Sequence, residues 1–433
     1  MLKKVVFIHY RTGEKDGVSL EIEKRAKICQ SLGARAAFIS GFEALKRESA
    51  QVIKEIDMKA TFNKFIREDC FYQPYFEEEM TIALYSQIEA KIYKKIKKAF
   101  KKIAPDLVFV HNLFSHAYNL PATTALIKIL DHYQIPTVAV NHDFWFERAQ
   151  FQKPKRFFIK EILETLPPRR AYILKHQVIN SLARQELLKR RQIKAQLITD
   201  YFDFSQKQPK LDSFNKDFKK TLGIGKDELI ILHATRITNR KAVENAILFT
   251  KILQKKLKKP VCLLFPNFVE VDALAYFKKV KALAEKKDVK TIWAHEKFAL
   301  KREEQNGIKK YSFWDSYLFA DLVTYTSTWE GYGNQFVEAM FFKKLPIVFE
   351  YPVFEKDIKK DRYRYISLGN YARKRNGLCF VPRAVLKKAA DKTIALLKNK
   401  KLVKKMVEKN FKIAKSRHDQ SLLAKDLKTL LYS

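Results

Sequence analysis

Apolar runs of four or five residues alternate along most of the chain with longer stretches whose apolar positions recur every three or four. In the first half the short runs predict strands at Val5–His9, Ala36–Ile39, Leu107–His111, Thr137–Asn141, Gln177–Asn180 and Gln196–Ile198. Helices fill the intervals, notably Ser19–Leu32 and Glu89–Ile103. Strand alternating with helix predicts a parallel sheet in an α/β architecture. The polar, lysine-rich stretch Phe204–Lys220, which contains Pro209, reads as an interdomain linker. The pattern then restarts, with strands at Leu229–Ala234, Val261–Phe265, Val289–Trp293, Leu322–Tyr325 and Ile347–Phe349. Helices are expected at Ala242–Leu257, Val271–Lys287 and Val385–Lys398, and a last basic helical stretch covers Lys401–Leu431. The expected organisation is therefore a domain over 1–203, a linker over 204–220, a second domain over 221–400 and a C-terminal helix over 401–433. Phe42 to Tyr85 matches no pattern.

A length of 433 residues accommodates two Rossmann-like halves with ample core. The 47% hydrophobic and 13% aromatic content excludes a disordered chain. No apolar run approaches the ~20 residues needed to span a bilayer. The N-terminal Val5-Val6-Phe7-Ile8 run ends at His9-Tyr10-Arg11, too short for a signal peptide, so it reads as the first buried strand and the expected location is cytoplasmic. Cys29, Cys70, Cys262 and Cys379 are scattered, which argues against a zinc site and a disulfide scaffold. The formal net charge of +38 leaves four explanations open: genomic composition bias, an anionic membrane, nucleic acid, or an acidic substrate.

The densest chemical signal runs from Thr326 to Phe342. Glu330 and Glu338 stand eight positions apart, with Gly331 and Gly333 following the first, and apolar strands lie on both sides. The glycines allow a tight turn and close approach to a ligand. A helix starting near Asn334 would aim its free N–H groups and positive dipole end at the same place, which suits a phosphate. Phe336 with Met340, and Val337 with Phe341, would face the core. Glu338, beside Asn334 on another face, could accept hydrogen bonds from a ribose diol, and Glu330 would meet a sugar joined to the phosphate. A solvated helix and an ordinary loop, each carrying a glutamate, remain the plain alternative.

Glu330-x7-Glu338, followed by Ala339-Met340 and Leu345-Pro346-Ile347-Val348, resembles the donor-site motif of retaining GT-B glycosyltransferases, in particular family GT4 (glycosyl transferases group 1). The resemblance implies two Rossmann-like domains facing a central cleft, with a terminal helix that crosses back to the first domain. It further implies that Glu330 contacts the transferred sugar and that Glu338 holds the ribose of the nucleotide. Gly331, Tyr332, Gly333, Asn334 and Gln335 would line the donor site between them. Arg236 and Lys241, five apart after the first strand of the second half, resemble the family's phosphate pair. Alone they would be a basic loop in a very basic chain. Ala242 stands where the family usually has glycine, and a helix can begin with alanine.

The loop Arg11–Ser19 resembles the family's glycine loop, and of it only Gly17 is carried over. His142, at a strand end, resembles the family's active-site histidine, although a lone histidine beside aromatics is more often a packed one. Phe144 and Trp145 would wall the acceptor sugar. Asp200 and Asp203 do not form Asp-x-Asp, the metal signature of the other major glycosyltransferase fold, so no metal and no cofactor is expected beyond a nucleotide-diphosphate sugar as co-substrate. Catalysis would rest on Glu330, His142, Arg236 and Lys241, the cations stabilising the departing diphosphate. Expected partners are the nucleotide sugar and a sugar-containing or small hydroxyl acceptor, with no specific nucleic acid. Peripheral contact with the inner, anionic face of a membrane stays open through the basic, helix-periodic stretch Lys91–Ile103, which would otherwise pack Ile92, Ile96, Phe100 and Ile103 on the sheet. The rival classes are a nucleotide-sugar-binding protein without catalysis and a basic nucleic-acid- or membrane-binding protein.

Overall fold

The computed structural model describes residues 2–14 and 16–432. The chain divides into two compact units, the first comprising residues up to Asp200 together with those from Ser421 onward, the second Tyr201–Gln420.

In the first unit β1 (Lys4–Thr12), α1 (Gly17–Ser31), β2 (Arg35–Glu43), β3 (Ala50–Val52), α2 (Thr61–Phe71), α3 (Glu78–Ile103) and β4 (Leu107–His111) follow one another. Next come α4 (Leu120–Tyr133), β5 (Thr137–Asn141), α5 (Phe157–Thr165), β6 (Leu174–Val178), α6 (Ser181–Arg191) and β7 (Ala195–Leu197). The strands form one parallel sheet in the order β3-β2-β1-β4-β5-β6-β7. Its central strands are apolar on both faces because helices cover both. Val6, Ile8, Val108 and Val110 share a core with Leu126 and Ile129 of α4 and with Ile92, Ile96 and Phe100 of α3. Those three α3 side chains are 0%, 0% and 1% exposed, so they pack on the sheet and are not available to a bilayer. Its Lys91 and Lys95 are tied to Glu55 at 3.0 and 2.6 Å.

Two elements of this unit differ from expectation. β6 lies earlier than Gln177–Asn180, because Asn180 leaves the strand to cap α6, accepting from the Ala183 N–H at 2.7 Å. The patternless 42–85 stretch supplies β3, α2 and the first turns of α3. Its turn is built around Asp69, which is 1% exposed. The carboxylate accepts from Arg156 (Nε and Nη2, both 2.8 Å), the N–H groups of Tyr75 (2.6 Å) and Phe76 (3.2 Å), and Thr81 Oγ1 (2.9 Å). No hydrophobic periodicity announces a loop held by one carboxylate.

The second unit contains α7 (Phe218–Thr221), β8 (Leu229–Leu232), α8 (Val243–Leu257), β9 (Val261–Phe265), α9 (Leu274–Lys286) and β10 (Lys290–Trp293). A small sheet follows, made of β11 (Phe298–Ala299), β12 (Glu303–Gln305) and β13 (Ile308–Ser312). Then come α10 (Phe313–Phe319), β14 (Leu322–Tyr325), α11 (Asn334–Phe341), β15 (Leu345–Val348) and β16 (Ile366–Ser367). The hairpin β17 (Arg373–Arg375) and β18 (Leu378–Phe380) precedes α12 (Arg383–Lys398) and α13 (Lys400–His418). The main sheet is parallel, in the order β10-β9-β8-β14-β15-β16.

Residues 204–220 are part of this unit rather than a free linker. Phe204 and Phe218 are buried, Asn215 donates to Asp315 at 3.0 Å, and Gln208 donates to the Phe341 carbonyl at 2.6 Å. The terminal helical stretch is two helices, because Asp419 adopts extended backbone (φ −66°, ψ 135°) between α13 and α14 (Gln420–Tyr432). α14 belongs to the first unit, where Leu423, Leu427 and Leu431 are buried and Tyr432 donates to the Leu32 carbonyl at 2.5 Å.

Asp69→Ala should destabilise the first unit by about 3–5 kcal/mol, because Arg156 keeps its charge in a buried place. Burial would raise the Asp69 pKa, but Arg156 and the N–H groups bring it down to about 2. The folded state therefore holds the proton more weakly than the unfolded chain. This stabilisation is complete above the ordinary carboxylate range and is lost as pH falls towards 2. Denaturant unfolding of wild type and variant at neutral and acidic pH checks both statements.

Candidate functional site

In the second unit the strand order reverses between β8 and β14, and ligands of open α/β sheets bind at such switch points, outside the carboxyl ends of the strands. The loops leaving these two strands are stitched together there. Thr328 N–H donates to the Arg240 carbonyl at 2.8 Å, and Thr326 Oγ1 donates to the Lys241 carbonyl at 2.9 Å. The junction places Glu330 against both Lys241 Nζ and Arg240 Nη1, one carboxylate oxygen to each. Lys241 is 3% exposed and Glu330 7%. Burial pushes the Glu330 carboxyl up, but the Lys241 and Arg240 charges outweigh it and bring the pKa down to about 2. Burial lowers the Lys241 pKa, against the pull of Glu330. Arg236, partly exposed, pairs instead with Glu270 at 2.6 Å. Glu270 is held close by backbone bonds from Ile237 N to the Phe268 carbonyl and from Glu270 N to the Ile237 carbonyl. Three cations thus face two carboxylates, which leaves a positive surplus for an anion.

Ala242 is not the first residue of a helix but its left-handed cap, at φ 45° and ψ 50°. An L-residue pays about 1–2 kcal/mol there, which is the physical reason a glycine suits the position.

Glu338 sits within α11 and accepts from Tyr317 Oη of α10 at 3.0 Å. Burial raises its pKa to about 7 against that hydrogen bond. Gly333 precedes α11 at φ 155°, and a Cβ there would meet Tyr351 Oη at 2.6 Å, so no other residue fits. Tyr351 in turn donates to the Tyr332 carbonyl. Tyr332 is buried with its ring 5.4 Å from that of His418, while Asn334 is exposed and Gly331 and Gln335 are half-buried. No side chain caps α11.

The remaining candidates lie in the first unit. His142 follows β5, its backbone N–H held by Asn112 Oδ1 at 2.9 Å and its ring stacked 5.8 Å from His111. Burial, aided by the Arg25 charge, brings its pKa down to about 4, so the ring is neutral at pH 7. Its Nε2 atom makes no hydrogen bond. Phe144 cannot wall an acceptor: it is 0% exposed and stacks on Phe146 in a core beneath α6. Trp145 packs partly against the same core and donates to the Pro167 carbonyl at 2.8 Å. Gly17 opens α1, and a Cβ at that position would meet nothing within 4 Å, so the fold itself sets no demand for glycine there. The N–H groups of that helix end are already bonded to Asp16 Oδ1, from Val18 at 2.9 Å and Ser19 at 3.1 Å. Arg240, Glu270 and Tyr317 were not anticipated. Arg240 could have been flagged by its place beside Lys241, whereas nothing in the sequence marks Glu270 or Tyr317.

Two parallel α/β units, the second with a cation–carboxylate cluster at its switch point, define a glycosyltransferase of the GT-B class. The sequence model for glycosyl transferases group 1 matches residues 214–413. The chain belongs to that family. It is 32% identical over 422 residues to a mannosylglucosylglycerate synthase of Petrotoga mobilis, covering 91% of this chain and 93% of the relative. It is 31% identical over 428 residues to a mannosylglucosylglycerate synthase of Thermotoga maritima, covering 95% and 96%. The crystal structure of a glycosyltransferase from Rickettsia africae superposes with a TM-score of 0.65 at 16% identity, covering 100% of this chain and 99% of that one.

Glu330→Gln should cost about 3–5 kcal/mol of stability, because buried Lys241 loses its counterion. Glu270→Gln breaks a partly exposed pair and should cost under ~1 kcal/mol, while freeing Arg236 to bind inorganic diphosphate roughly two- to five-fold more tightly. Chemical denaturation and diphosphate titration of the two variants measure these effects.

Proposed function

We propose that the protein is a retaining glycosyltransferase that moves a hexosyl group from a nucleotide-diphosphate sugar to a hydroxyl of a small, carboxylate-bearing acceptor. The name of the relatives points to a mannosyl group transferred to an acceptor of the glucosylglycerate kind. The observation that carries the reading is the junction of Glu330 with Arg240 and Lys241 at the β8/β14 switch point.

In this reading the diphosphate takes the surplus charge of Arg236, Arg240 and Lys241, whose field grows in importance as the leaving group gains charge. These side chains replace a metal ion in neutralising it. The anion relieves Glu330 of part of its pairing and lets its carboxylate engage the sugar hydroxyls. Glu338 accepts from the ribose diol, for which it must be ionised. Tyr317 keeps one of its oxygens in place. His142, neutral and with a free Nε2, contributes a hydrogen bond to the sugar. The acceptor hydroxyl attacks the anomeric carbon from the face that the diphosphate leaves. The leaving phosphate oxygen takes the acceptor's proton, so configuration is retained without a protein nucleophile.

Thermal unfolding of the protein against UDP, GDP, ADP and their sugars tests this. One nucleotide should stabilise selectively, and Glu338→Ala should lose the effect. Arg236→Ala and Glu330→Ala should transfer sugar at least ~100-fold more slowly. With the Glu338 pKa near 7, nucleotide affinity should rise between pH 6 and pH 8 in wild type and stay flat in Glu338→Ala. Stabilisation by nucleic acid or anionic lipid, with none by any nucleotide, would assign the charge of the chain to a different function.

A further inference from the structure

We propose that the first unit carries a carboxylate subsite at its β1/β4 switch point, formed by Arg67, Arg148, Tyr118 and Tyr10, that fixes the anionic end of the acceptor. The inference rests on the reading above, in which the acceptor is a glycerate-type acid.

Arg67, like Arg191 of α6, differs from most of the buried and half-buried arginines of this unit in having no carboxylate partner. Arg11, Arg25, Arg47 and Arg156 are each matched by a carboxylate: Glu14 and Asp57, Glu21, Glu23 and Glu43, and Asp69. Half-buried Arg67 has only carbonyl acceptors, Met58 at 3.2 Å and Tyr118 at 3.5 Å, and no carboxylate among the described residues. Its guanidinium lies 5.6 Å from the centre of the Tyr118 ring. The Arg148 guanidinium lies 5.3 Å from the centre of the same ring and donates to its hydroxyl at 2.8 Å. Arg148 also pairs with Asp143, which His116 shares, yet its Nε is buried without a partner. Two guanidiniums therefore lie by one tyrosine, and of the two only Arg148 is bonded to a carboxylate.

Tyr10, near the end of β1, adds an independent observation. It is 1% exposed and its hydroxyl has no hydrogen-bond partner. Its ring meets Tyr118 edge-on at 6.4 Å and stacks on His116 at 6.4 Å. A buried hydroxyl left unbonded is disfavoured unless something completes it. Arg67 and Arg148 flank the ring that Tyr10 abuts, and a guanidinium fork matches a carboxylate in shape and charge. A carboxylate is the ligand chemistry that these donors share. Arg67 stands on α2, inside the stretch with no family pattern, which is where a feature specific to this acceptor is expected rather than one shared by the family.

The test compares initial rates on glucosylglycerate and on glucosylglycerol, which carries CH2OH in place of the carboxylate. The donor is the mannosyl nucleotide selected by the thermal panel, and nucleotide binding is followed in parallel. Tyr10→Phe removes no hydrogen bond from the free protein, so its unfolding temperature should be unchanged or higher. Its KM for glucosylglycerate should nevertheless rise about ten-fold with kcat within about two-fold. Arg67→Met should raise that KM roughly 100-fold and Arg67→Lys should recover part of the loss. Rates on glucosylglycerol and the affinity for the nucleotide should change less than about three-fold in any variant. Equal losses on both acceptors, or a wild-type protein that does not distinguish them, would overturn the subsite. A wild type that binds a nucleotide but glycosylates only neutral acceptors would overturn it while leaving the donor reading in place. A wild type that binds no nucleotide would remove both.

Discussion

Lysine 241 is a buried cation, and a buried cation has to be answered at close range. Glu330 answers it, and the rest of the second unit's site follows from that requirement. The two residues belong to loops leaving neighbouring strands, so their pairing fixes how the β8 and β14 loops meet. Once that junction is fixed, Gly333 turns within reach of Tyr351, and its carbonyl accepts from the Phe336 and Val337 N–H groups to start α11 without a side-chain cap. Arg240 shares the same carboxylate, which keeps Glu330 ionised far below neutral pH. The arrangement is strong enough to order the loops and still one charge short of neutral.

The central strands were legible because burial on both faces forces nearly continuous apolar runs, such as Val5–Ile8 and Leu229–Leu232. The spacing of Glu330 and Glu338, and of Arg236 and Lys241, was legible because loop and helix fix it locally. What escaped depends on contacts distant in sequence. Asp69 organises a turn through Arg156, Glu270 meets Arg236 from another loop, and Tyr317 meets Glu338 from another helix. None of these has a periodic signature. Phe144 misled for the opposite reason: an aromatic beside a histidine looks like a ligand wall, whereas α6 covers it completely. The 204–220 stretch misled because lysines outnumber its few apolar residues, yet Phe204 and Phe218 are enough to anchor it.

The two units use charge differently. Around the β8/β14 junction, carboxylates and cations are interleaved so that the cations are held but not fully neutralised. In the first unit most buried arginines are matched one by one, and Arg67 beside the switch point is one of two half-buried exceptions, the other being Arg191 at the end of α6. The large formal charge of the chain is therefore not what distinguishes these places. What distinguishes them is the local failure of pairing, against a background in which α3 and its neighbours spread lysines over the surface.

The break at Asp419 also governs how the polypeptide is built. The second unit is a continuous segment, complete once Gln420 has been made, whereas the first is interrupted by it and finished by α14. During synthesis the later-starting unit can reach its native contacts first. The earlier one has to wait, with the positions that Leu423, Leu427 and Leu431 will occupy still open to solvent. A chain interrupted between α13 and α14 would thus carry a finished second unit and a first unit whose apolar contacts to Leu423, Leu427 and Leu431 are still unmade.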